Sequence, residues 1–191
     1  MLELIVGMVV VTGAGLMGPD GVTAGASTAA ARASVPAGTA DDAEMDLRFA
    51  YAGGQAGRDA IATAIDEAIA DMNGLIRGMA RKRLLEVNAV IESMAFSLES
   101  DPVVTTYLNG RIIAAPRSGK SVPWTDQFGE RIQVSHRYAD GKLVQTMRGA
   151  KGQRKNVYRF SEDGKTMTMS VEIVADQLPA AIRYQVKYRR G

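Results

Sequence analysis

From Glu92 to Gly191 the chain alternates apolar and polar side chains with a period of two, and nothing else in it constrains the fold as strongly. Met94, Phe96 and Leu98 alternate with Ala95, Ser97 and Glu99. Val104, Thr106 and Leu108 lead into Asn109-Gly110, a strong hairpin signal, and Ile112 and Ile113 begin the next strand. Ile132, Val134, His136 and Tyr138 share one face, opposite Arg131, Gln133, Ser135 and Arg137. Asp140-Gly141 then turns the chain. Leu143, Gln145 and Met147 oppose Val144, Thr146 and Arg148, with a weaker apolar bias. Val157 and Arg159 alternate with Tyr158 and Phe160 before a turn at Asp163-Gly164. Met167, Met169, Val171 and Ile173 are expected to face inward. So are Ile182, Tyr184, Val186 and Tyr188, reached through Leu178-Pro179. Residues Arg117 to Gln127 read as a loop, because Pro116 and Pro123 exclude a central strand there.

This pattern predicts about eight short strands joined by tight hairpins, hence an antiparallel meander. A sheet that wide with one apolar face must cover it by rolling into a barrel or half-barrel. Upstream, Ile61, Ile65, Ile69, Met72, Ile76 and Met79 recur at spacings of four and three, predicting one amphipathic helix from Asp59 to about Glu86. The expected fold is mainly β with one N-terminal helix (α+β), the helix lying inside the barrel or beside it. Residues 27–58, rich in Ala, Gly, Ser and Thr, read as a flexible linker, leaving 59–191 as the folded domain.

Leu4 to Gly18 is uncharged and largely apolar, too short for a comfortable membrane span. Ala24-Gly25-Ala26 follows with small-x-small spacing, so residues 1–26 read as an export signal cleaved after Ala26, or else after Ala33. Glu3 and the lack of Lys or Arg over positions 2–10 depart from that pattern. The expected location is periplasmic or secreted, with no integral membrane span after processing.

Composition removes several chemistries. The chain has no cysteine and one histidine, so thiolate zinc sites, cysteine nucleophiles and paired-histidine metal sites are excluded. A catalytic triad would have to run through His136, and no Gly-x-Ser-x-Gly elbow exists. His136 reads as a core residue bonded to a tyrosine hydroxyl or a backbone group. Ala114 to Ser121 ends like a phosphate loop but lacks its first glycine and a following helix. Asp66, Glu67 and Asp71 read as a solvated acidic face. No cofactor, metal or enzymatic activity is expected.

Charge is unevenly spread: residues 1–102 carry 7 Lys+Arg against 14 Asp+Glu, and residues 103–191 carry 16 against 7. Arg148, Lys151, Arg154, Lys155 and Arg159 read as a basic cluster around one hairpin. Without interleaved aromatics for stacking it does not suit nucleic acid. Solubility accounts for it best, and an anionic headgroup, glycan or acidic protein comes next.

The segment VYRFSEDGKTMTMSVEIVADQLPAAIRYQVKYRRG, with its Ser-x-Asp-Gly turn, Thr/Met strand and terminal Tyr-x-x-x-Tyr-Arg-Arg strand, resembles a pattern in small exported bacterial proteins of unassigned function. The preceding helix resembles the one those proteins place before their sheet, and the C-terminal ninety or so residues are similar to the β-meander barrels of the lipocalin and fatty-acid-binding superfamily. The lipocalin Gly-x-Trp is missing, since the sole Trp, Trp124, sits in the 117–127 loop. The resemblance implies a barrel and names no ligand. The expected function is therefore a non-enzymatic, lipocalin-like binding protein for an apolar or amphiphilic small molecule. His136, Tyr138, Met147, Tyr158, Met167, Met169, Tyr184 and Tyr188 are its expected cavity residues. The alternative is an interaction domain whose helix fills the barrel. A cavity lined by these residues would favour the first reading, and a helix stripe seated against the same face would favour the second.

Overall fold

The computed structural model describes residues 47–126 and 129–191. The expected export signal, and residues 27–46 of the expected linker, lie outside the described residues. Ten strands form one antiparallel sheet: β1 (Leu47–Tyr51), β2 (Ser93–Ser97), β3 (Val103–Tyr107), β4 (Ile112–Ala115), β5 (Val122–Thr125), β6 (Arg131–Ala139), β7 (Lys142–Arg148), β8 (Gly152–Phe160), β9 (Thr166–Ala175) and β10 (Ile182–Arg190). Helices α1 (Gly54–Ala68) and α2 (Gly74–Val87) stand between β1 and β2. The sheet order is β4-β3-β2-β1-β10-β9-β8-β7-β6-β5, a meander in which β1 pairs with β10.

The two sheet ends, β4 and β5, do not pair, but they are drawn together. Ser118 bridges Arg137. Trp124 Nε1 donates to the Ile112 carbonyl at 3.2 Å. The result is a nearly closed barrel. Its interior is the expected one: Met94, Phe96, Ile132, Val134, Leu143, Met147, Tyr158, Met167, Met169, Val171, Ile173, Ile182, Val186 and Tyr188 are buried in one cluster. The turns obey local chemistry. Asp140 and Gly141 take φ values of 53° and 65°, the paired positive values of a tight hairpin, where glycine has no Cβ to penalise.

The strand count, the linker, the loop and the single helix all need correction. Ten strands replace eight. The first addition, β1, lies within the stretch read as linker, and α1 begins there too, at Gly54. Phe49 supplies β1's buried anchor, but five residues followed at once by Ala52-Gly53-Gly54 give too little alternation to notice. The second, β5, contains Pro123 and replaces part of the expected loop. It lies at an end of the sheet, where a strand tolerates a missing N–H.

The single helix is two. The chain leaves helical geometry after Ala68 and restarts at Gly74, where the Asn73 side chain accepts from Leu75 N at 3.1 Å as an N-cap. The apolar stripe changes phase at this break. Ile61, Ile65 and Ile69 are buried, but Ile76 and Met79 are exposed, and α2 buries Ala80, Leu84 and Val87 instead. Asp66 accepts two bonds from Arg81 at 2.6 and 3.0 Å, pinning α1 to α2. That pair occupies part of the acidic face and, through the Arg81 hydrogen bonds, lowers the Asp66 pKa.

Candidate functional site

A chain of polar side chains runs through the barrel interior, and its direction is set at one end. Arg154 on β8 is 2% exposed. An arginine side chain can only donate. Its Nε donates to Asn156 Oδ1 at 3.0 Å, so the Asn156 amide nitrogen must face away, and it donates to Gln145 Oε1 at 3.0 Å. Gln145 Oε1 also accepts from the Tyr107 and Tyr158 hydroxyls at 3.0 and 3.2 Å, which leaves Gln145 Nε2 facing His136 Nε2 at 2.9 Å. His136 Nε2 must therefore accept. Its proton sits on Nδ1, which donates to the Val103 carbonyl at 3.0 Å. The line of donors thus crosses from β8 through β7 and β6 to β3, the last step spanning the seam between the ends of the sheet.

Burial shapes the proton equilibria along this line. It pushes the His136 pKa down to about 4, outweighing the Val103 hydrogen bond, so the ring is neutral near pH 7. Burial raises the Tyr107 and Tyr158 phenols, with the neighbouring Arg154 charge pulling against it. The Tyr188 phenol is raised too, for the same first reason.

The guanidinium has a second set of partners at the helical end of the barrel. Nη1 donates to Asn88 Oδ1 at 3.1 Å and Nη2 to the Tyr184 hydroxyl at 3.2 Å. Asn88 caps the C-terminus of α2, and its Nδ2 donates to the Leu84 carbonyl at 2.9 Å. All three partners of Arg154 among the described residues are neutral. Three bonds on five N–H donors leave two donors unused. Among the described residues, the partial negative charge at the end of α2 is what offsets the cation. Two further interior groups lack a partner among the described residues, Thr105 Oγ1 and Tyr188 OH.

Along β8 the inward side chains grade from charged to apolar: Arg154, Asn156, Tyr158, Phe160. Six residues at about 3.4 Å each put roughly 20 Å between the two ends. At the far end Phe49, Phe96 and Phe160 pack with ring centroids 5.4 to 6.2 Å apart. Met147 stands directly across from Arg154 in register, Met169 across from Tyr158, and Met167 across from Phe160. The interior is therefore amphiphilic along its length.

Seven of the eight residues expected in a cavity point inward and are buried: His136, Met147, Tyr158, Met167, Met169, Tyr184 and Tyr188. His136, Tyr158 and Tyr184 belong to the polar chain, Met147 stands beside Arg154, and Met167, Met169 and Tyr188 line the more apolar part. Tyr138 instead lies half-buried at the end of β6 under the Arg117 guanidinium, 4.8 Å from its ring centre. Arg154 itself is a correction, since its charge had placed it in the basic cluster. Its parity with Tyr158 was the signal that it faces inward. Asn156 shares that parity, whereas Asn88, beyond the helical stripe, gave no signal. The stretch resembling a phosphate loop leads into β5, so its amides do not sit at a helix N-terminus.

Elsewhere, an open groove of about 460 Å³ lies on the outer face of β8–β10 along Lys155, Ser170 and Gln185, with the Arg183–Glu172 ion pair at 2.7 Å beside it. Among the described residues no cluster of three or more acidic or histidine side chains could hold a metal ion. No described helix is long and apolar enough to cross a membrane.

No protein-family model matches the chain, and no curated protein matches it. Several solved structures do. The chain is similar to the REP1-NXSQ fatty acid transporter, at 14% identity over 76% of this chain and 94% of that one, with a TM-score of 0.46. It is similar to the apo lipid binding protein 8 of Caenorhabditis elegans, at 8% identity over 76% and 94%, TM-score 0.46. It is also similar to a fatty-acid-binding protein from brain tissue of Drosophila melanogaster, at 13% identity over 77% and 98%, TM-score 0.45.

Proposed function

We propose that this protein is a non-enzymatic carrier for an anionic amphiphile, its acidic headgroup meeting Arg154 and its tail running toward Phe49, Phe96 and Phe160. The observation that carries this reading is the buried guanidinium whose partners among the described residues are all neutral. Burying a charge without a counter-charge costs several kcal/mol, and proteins ordinarily pair it or neutralise it. A carboxylate or phosphate headgroup would supply the missing charge and use the two spare donors in a fork geometry. Met147 beside Arg154, and Met167 and Met169 further along, are side chains that rearrange easily around a chain-like guest. The proposal includes export of the mature protein, which rests on the Leu4–Gly18 run and Ala24-Gly25-Ala26. N-terminal sequencing of the secreted or periplasmic product tests that part.

Isothermal titration calorimetry with decanoate and decanol tests the binding. The wild type is expected to prefer the carboxylate at least tenfold, and Arg154→Met is expected to lose that preference while keeping the alcohol. Equal affinities for the two probes in the wild type would refute the headgroup assignment.

A second reading has its own support. Ile61, Ile65 and Ile69 of the helical segment join the same buried cluster as the barrel residues, as a filled barrel serving only as an interaction domain would require. Under that reading neither probe gives heat.

A further inference from the structure

Asn88 joins the buried cation to the last turn of α2. Its Oδ1 accepts from Arg154 Nη1 at 3.1 Å and from the Tyr184 hydroxyl at 3.3 Å. An asparagine could present either end of its amide here, and an aspartate in the same place would neutralise Arg154 outright. Helix α2 decides between these. The Leu84 carbonyl, in the last turn of α2, takes the Asn88 Nδ2 hydrogen at 2.9 Å. A carboxylate oxygen in that position would face a carbonyl oxygen at the negative end of a helix, which is repulsive. The amide is therefore held with nitrogen on the helix and oxygen on the guanidinium. Arg154 gains a hydrogen bond and gains no counter-charge.

Resting on the carrier reading above, we propose that Asn88 determines the charge class of the ligand. By occupying one donor of Arg154 with a neutral acceptor it keeps the site cationic and makes it select acids over alcohols of the same chain length. The Tyr184 hydroxyl has the complementary part. It accepts from Arg154 Nη2 at 3.2 Å and spends its own proton on Asn88, so it does not offer that proton to a headgroup while Asn88 is in place.

Two substitutions then move selectivity in opposite directions. Asn88→Asp supplies an internal anion that competes with the ligand, and the carboxylate-to-alcohol affinity ratio is expected to fall at least tenfold. Asn88→Ala removes the competing acceptor, freeing a third Arg154 donor and the Tyr184 proton, and the ratio is expected to rise by about threefold to tenfold. A residue that only supported the fold would shift both ratios the same way. The experiment is calorimetry of the full chain with decanoate and decanol at fixed pH and salt, with thermal melting of each variant alongside.

Opposite shifts support the proposal. Shifts of the same sign, or an unchanged ratio in both variants, overturn it while leaving the carrier reading intact, provided the wild type still prefers decanoate. A wild type that binds neither probe, or does not prefer the acid, refutes the carrier reading and this proposal with it. If Asn88→Asp does not fold, Asn88→Ala decides alone: a rise in the ratio supports the assignment, and a fall or no change overturns it.

Discussion

Lowering the pH should weaken this protein through one residue. The folded state holds His136 neutral, with Nε2 accepting from Gln145 and a pKa of about 4 against 6.5 for an unconstrained imidazole. Between those values the unfolded chain binds a proton that the folded chain refuses. Stability therefore falls as pH drops from 6.5 toward 4 and levels off below, where both states are protonated. A gap of about 2.5 pKa units, at about 1.4 kcal/mol each, gives a full loss of about 3.5 kcal/mol, of which about 3 kcal/mol is reached by pH 4. The chain has a single histidine, so no second imidazole adds to that slope. Carboxylates whose pKa values are lowered in the fold, such as Asp66 and Asp163, contribute mainly at lower pH. The assay is urea unfolding at several pH values from about 7 to about 4, comparing the wild type with His136→Asn, which keeps a donor for Val103. The wild type is expected to lose about 3 kcal/mol more than the variant. Parallel pH profiles would refute the claim that His136 is buried, neutral and an acceptor at Nε2.

Further predictions follow from particular contacts. Nitrogen chemical shifts of the one imidazole at pH 7 should report the Nδ1–H tautomer, and an Nε2–H signal would break the donor line running from Arg154 to Val103. Asn73→Ala should cost about 1 kcal/mol in urea unfolding, because Asn73 caps α2. In one continuous helix the same change would stabilise. Gly152→Ala should destabilise by about 1–3 kcal/mol, since a Cβ there would stand 2.7 Å from the backbone oxygen of Val174. Gly78→Ala, with nothing within 4 Å, should instead stabilise α2 by about 0.5–1 kcal/mol in the same assay.

The long strands were legible because a two-residue period survives over five or more positions. In β9 and β10 the expected inward residues are all buried. Short elements were not. β1 has one fully buried side chain, and β5 is four residues with a proline, so neither carries enough repeats to set a phase. The helix break was hidden because the spacing from Ile69 to Met72 to Ile76 continues a helical stripe across it. The competing signal, Asn73-Gly74 as cap and restart, is local and easily outweighed. The candidate site was half legible. Tyrosines and methionines on apolar faces read as interior, but Arg154 was assigned outward on charge although its parity matched Tyr158. Gln145 stood on the inward set of β7 without a reason to be there, and that reason, Asn156 and His136 on either side of it, requires three strands in register. Asn88 could not be found from periodicity, because its position is set by where α2 ends.

In the proposed carrier, Arg154 takes an acidic partner inside the barrel. Native mass spectrometry of protein purified without detergent tests it most directly, with wild type and Arg154→Met run side by side. The wild type is expected to retain an acidic amphiphile that is absent from Arg154→Met. A wild type that stays bare even after incubation with decanoate, or one loaded to the same extent as Arg154→Met, would contradict it.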